Sequence, residues 1–128
     1  MEVGEEWGPV EFTVYKDQLV RYAGASDDYN PIHYDDEVAR SFGLPGVIVH
    51  GMLNVGLMMS FVSDNLPQGW RLKGCSMRFR QMVEPGRRLE MRARVRNIDN
   101  DLAGLEVELH ERDQRPSITG RVTIEKRG

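Results

Sequence analysis

Asp28, Asn30, Pro31 and His33 fall within six positions of the stretch SDDYNPIHYDDEVA, residues 26–39. A carboxylate and an imidazole that share one water molecule make an acid–base pair suited to near-neutral pH. Pro31 fixes its own φ and pushes Asn30 toward extended backbone, so this stretch is stiff and non-helical. Straight extended backbone would point Asp28 and His33 to opposite sides, and a bend at Asn30-Pro31 brings them to one site. Local pattern alone leaves open a capped loop with a structural histidine. A second feature is His50-Gly51, where the β-branched run Val47-Ile48-Val49 passes into a long apolar segment. The first N–H groups of a helix lack internal partners and carry positive potential. Glycine there lets a ligand approach the backbone closely, which makes an oxyanion hole for a carbonyl that gains negative charge. A glycine that only eases helix packing is the alternative.

The elements that must hold these residues are readable from periodicity. Residues 9–14 (PVEFTV) have strand-like side chains, and 16–25 carry Leu19, Val20, Tyr22 and Ala23 at near-helical spacing. Residues 35–42 predict a second short helix, with Asp35 as N-cap and Asp36 and Glu37 in the first turn, ended by Gly43 and Pro45. From His50 the pattern turns helical and is apolar on most sides through Val62, which predicts a buried helix. After residue 69 the period becomes two. Strands are expected over 70–83, 88–98, 105–111 and 117–126, with turns at EPGR, DNDLAG and DQRP. Leu89, Met91, Ala93 and Val95 share one face of the second of these, and Arg88, Glu90, Arg92, Arg94 and Arg96 share the other. A single buried helix followed by an antiparallel meander predicts an α+β fold with the sheet wrapped on the helix.

Composition narrows the function classes. The chain has 128 residues, 40% of them hydrophobic and 29% charged, which is the profile of one globular domain. Cys75 is the single cysteine, so no internal disulfide forms and a reducing, cytoplasmic setting is expected. The acidic N-terminus has no apolar leader core, and residues 46–62 contain His50 and Asn54 and are short for a membrane span. Net charge is −3, but it divides into −8 over residues 1–70, +7 over 71–96 and −2 over 97–128. The basic middle makes Arg71, Lys73, Arg78, Arg80, Arg87 and Arg88 candidates for an anionic group. The acidic total and the lack of an interleaved aromatic ladder in the basic strands argue against nucleic acid. His33, His50 and His110 share no ligand spacing, so no metal site is expected. The methionines of 52–59 read as core packing around the helix.

The stretch YAGASDDYNPIHYDDEVARSFGLPGVIVHGM (22–52), together with MRFRQMVEPGRRLEMRARV (77–95), resembles the signature of the MaoC-like dehydratases, or (R)-specific enoyl-CoA hydratases. The resemblance implies a single hot-dog domain over residues 1–128, a long central helix wrapped by a curved antiparallel sheet. It implies reversible hydration of trans-2-enoyl thioesters to (R)-3-hydroxyacyl thioesters, on coenzyme A or acyl carrier protein. It further implies that Asp28 and His33 activate the water and that the Gly51 N–H stabilises the thioester enolate. Asn30 and His50 support the site. Arg78, Arg80, Arg87 and Arg88 become candidates for carrier phosphates. No cofactor is expected, because the thioester itself acidifies the α-proton. A homodimer, or a pair with a related subunit, is expected to close the sheet edges and the cleft.

Two departures from the family pattern stand out. Asp27 occupies a position usually held by glycine, and Met82 stands where proline often precedes valine. Aspartate is among the few residues that tolerate φ > 0, and a second acid beside Asp28 would raise the latter's pKa by like-charge repulsion. A hot-dog thioesterase is one competing reading, but such enzymes place a carboxylate on the central helix, and Met52 to Ser63 contains none. A non-catalytic acyl-binding subunit is the other; it would be expected to lack the acid or the histidine.

Overall fold

The computed structural model describes residues 1–19, 21, 32, 35–44, 46 and 48–127. Within them the strands are β1 (Glu6–Phe12), β2 (Trp70–Phe79), β3 (Leu89–Asp99), β4 (Leu102–Glu111) and β5 (Pro116–Lys126). The helices are α1 (Asp36–Ser41) and α2 (Gly51–Asn65), and residues 16–19 form a further helical turn. The five strands make one antiparallel sheet in the order β1-β3-β4-β5-β2. Each of its four pairings contains a register shift, between Trp7 and Val10, Leu72 and Gly74, Val95 and Asn97, and Leu109 and His110. Bulges bend a strand and increase its twist, which is how a sheet curves round a helix. The result is the hot-dog arrangement.

Strict alternation sorts β3 and β4 into two faces. Leu89, Met91, Ala93, Val95, Ala103, Leu105, Val107 and Leu109 all point into the core with Ile118, Val122 and Ile124 of β5. From α2 the stripe Val55, Met58, Phe61 and Val62 packs on that surface. These lie at i, i+3, i+6 and i+7, one face of a helix. The opposite face of the sheet is a charge ladder. Arg92 meets Glu108 at 3.3 Å, Arg96 meets Glu106 at 2.7 Å, and Arg71 meets Glu125 at 2.7 Å.

The structure corrects several expectations. β1 begins at Glu6 rather than residue 9, and Pro9 sits inside it, tolerated because β1 is an edge strand. β2 ends at Phe79, since the N–H groups of Arg80 and Gln81 both donate to the Ser117 carbonyl. β4 begins at Leu102, so the turn is only Asn100-Asp101, with Asn100 at φ 56°. Gly104, which reads as turn, lies in the strand, paired with Asn97 and Thr123, and the Asn97 side chain occupies the space a β-carbon would take. Lastly, α2 is not buried all round. Met52 is 64% exposed, because the sheet of this chain covers one side of the helix only.

Candidate functional site

The candidate site is assembled at the N-terminus of α2. Three hydrogen bonds hold the chain that leads into it. Ile48 N–H donates to the Ile32 carbonyl at 3.1 Å, Val49 N–H donates to the Val83 carbonyl at 2.7 Å, and Asn54 N–H donates to the His50 carbonyl at 3.2 Å. The first of these ties residue 32, next to His33 in sequence, to a position two residues before His50. Asp28, Asn30 and His33 themselves lie outside the described residues.

Asp35 and Asp36 lie within the described residues and hold α1 in place. Asp35 is the N-cap of α1, and its Oδ1 accepts from the N–H groups of Glu37 at 3.0 Å and Val38 at 3.2 Å. Asp36 pairs with Lys16 at 2.9 Å, which fastens α1 to the helical turn of residues 16–19. These two acids of the cluster are therefore structural.

His50 is the N-cap residue of α2 and is 2% exposed. It caps with its carbonyl and not with its ring, and the first helical turn carries no acidic side chain. The positive end of α2 therefore keeps its attraction for a ligand oxygen. Gly51 lies at that end, and a β-carbon there would come 2.9 Å from the Phe79 ring. A cavity of about 310 Å³ opens at this point, lined by Gly51, Asn54, Phe79, Arg80 and Met82 together with Ile48, Val49, Gln81, Val83 and Ile118. The wall is mainly hydrocarbon, with the helix end and a few polar groups set into it, as suits an acyl compound with one polar centre.

The basic residues divide by face. Arg78 lines a larger open groove, about 810 Å³, on the outer face of the sheet, which is walled by ladder residues of both signs. This groove lacks Gly51 and the helix start, and charged side chains dominate its lining around Met77, Ala93 and Val107, so the smaller, more apolar cavity is the better chemical candidate. Arg80 borders both, with its Nε donating to Thr119 Oγ1 at 3.1 Å. Arg87 pairs with Glu84 at 3.1 Å and approaches Glu111 at 3.6 Å. The backbone carbonyl of Arg88 accepts from Arg112 N–H. His110 is buried on the outer face, 3.6 Å from Glu90, and among the described residues no group of acids, cysteines and histidines has the arrangement of a metal site. Among the cavity residues to which sequence reasoning gave no site role are Phe79, and Asn54, whose signal was a lone amide within an apolar helical run.

The family comparison agrees with this geometry. Residues 2–112 match the MaoC like domain family. The chain is 35% identical over 79 residues to a probable enoyl-CoA hydratase 2 of Dictyostelium discoideum, covering 59% of this chain and 26% of that protein. It spans only 4% to 42% of the length of the first curated relatives that it matches. Among solved structures it is similar to an (R)-hydratase from A. caviae, with a TM-score of 0.90 and 25% identity over 98% of this chain and 97% of that one. It shares its fold with the ChsH1-ChsH2 complex of Mycobacterium tuberculosis, with a TM-score of 0.89 and 18% identity over 99% of each chain. The chain belongs to the MaoC-like dehydratase family.

Proposed function

We propose that residues 1–128 act as one catalytic unit that adds water reversibly to trans-2-enoyl thioesters of coenzyme A or acyl carrier protein, giving (R)-3-hydroxyacyl thioesters. The observation that carries this reading is the end of α2, where Gly51 borders a largely apolar cavity and no acidic side chain occupies the first turn. The thioester carbonyl is placed against the Gly51 N–H. As negative charge moves onto that oxygen, the helix end stabilises it. Asp28 and His33 hold the water between them. They take one of its protons as its oxygen bonds to carbon 3, and they deliver a proton to carbon 2. Asn30 orients the loop that carries them, and His50 fixes the start of the helix. In the reverse direction the same pair removes the α-proton and protonates the departing hydroxyl.

The thioesterase reading is weaker. It calls for a carboxylate on the helix beside the carbonyl, and α2 has its one acid, Asp64, in the last turn. The working unit is proposed as a homodimer or a pair with a related subunit. Support comes from Met52, Phe79 and Met82, all more than half exposed around the cavity and the helix start, and from the open edges of β1 and β2. Purified chain mixed with crotonyl-CoA should bleach the enone absorbance without releasing free thiol. Thiol release with the double bond intact would replace hydration with hydrolysis.

A further inference from the structure

Asn54 lies in the first turn of α2, three residues after Gly51, and borders the same cavity. Its side chain is 1% exposed, and its Oδ1 has no hydrogen-bond partner among the described residues. Residues three apart on a helix are surface neighbours, about 5–6 Å between β-carbons. Helical side chains also lean toward the N-terminus, so the Asn54 amide projects over the turn that ends in the Gly51 N–H. A buried acceptor without a donor weakens a fold and calls for an explanation. Here Val55, Met58, Phe61 and Val62 of the same helix are buried hydrocarbon, which makes the amide an exception on its own face.

This step rests on the enoyl-thioester reading. Such a substrate has few hydrogen-bond donors. A hydrocarbon acyl tail has none, and the water or 3-hydroxyl is taken by Asp28 and His33. The nearest donor left is the amide N–H of the carrier arm, four bonds from the thioester carbon in coenzyme A and in carrier protein alike. We infer that Asn54 Oδ1 accepts a hydrogen bond from this arm amide while the Gly51 N–H holds the thioester carbonyl. Asn54 is then a substrate-binding residue that reads the carrier arm rather than the acyl chain.

Two small substrates test it, S-crotonyl-N-acetylcysteamine and its ester isostere, S-crotonyl-2-mercaptoethyl acetate, which lacks the N–H. Wild type should prefer the amide by about tenfold in kcat/KM, chiefly through KM. In Asn54→Leu that ratio should collapse to about one, and Asn54→Ala, which cannot overfill the cavity, should give the same collapse. A purely packing role would move both rates together and keep the ratio, which overturns the proposal, as does a wild-type ratio near one. If wild type hydrates neither compound nor crotonyl-CoA, the hydratase reading itself falls and takes this inference with it.

Discussion

Gly51 and Phe79 stand so close that a β-carbon on residue 51 would lie 2.9 Å from Cε1 of the ring. The ring is the end of a side chain that is 54% exposed, so it can swing away at little cost to folding. Swinging would nevertheless change the cavity, and the new methyl would crowd the helix end. Gly51→Ala should therefore fold normally and lose about tenfold or more in kcat/KM for crotonyl-CoA. Phe79→Ala in the same chain should recover part of that loss. A double-mutant cycle on the steady-state constants measures the coupling; additivity would show that the ring and residue 51 act independently.

Gly120 presents a different case. A β-carbon there would sit 2.6 Å from the Ser76 carbonyl oxygen and would overlap the Met77 sulfur. The carbonyl belongs to the paired strand β2 and cannot move aside without breaking the ladder. Gly120→Ala should lower stability by about 1–3 kcal/mol, read as a lower urea midpoint at unchanged m-value.

Asp35 caps α1 through two backbone N–H groups. Asp35→Ala should cost about 1 kcal/mol, while Asp35→Asn, which keeps an acceptor, should cost a few tenths at most. Thermal unfolding followed by circular dichroism separates the two.

Met52 extends from the uncovered side of α2. If that side meets a second copy, Met52→Glu buries a charge at the contact and should shift the chain from twice its sequence mass to the monomer mass by light scattering. A wild-type monomer would remove the homodimer and leave the related-subunit pairing.

Much of the fold is legible in the sequence because period and chemistry agree. The alternation of residues 88–96 gives both faces of β3 with no further information, since a strand exposes every second residue to the same side. Asp35 and Asp36 read as helix-start residues for the same local reason. What is not legible depends on partners distant in sequence. Gly104 looks like turn until Asn97 is placed over it, and Phe79 looks like one more strand residue until its ring meets Gly51. The run after His50 reads as buried on every side because apolar composition does not say whether the cover comes from the same chain. Asp28 and His33 are proposed from motif and resemblance. The Ile32–Ile48 hydrogen bond fixes only where the neighbouring chain runs.

The central claim is that Asp28 and His33 are the acid–base pair, and it is tested most directly by crotonyl-CoA hydration with Asp28→Asn and His33→Ala. Positioned acid–base groups contribute about 10²–10⁴-fold, so each variant should lose at least about a hundredfold in kcat while its circular dichroism stays that of wild type. Full activity in both folded variants would contradict the assignment.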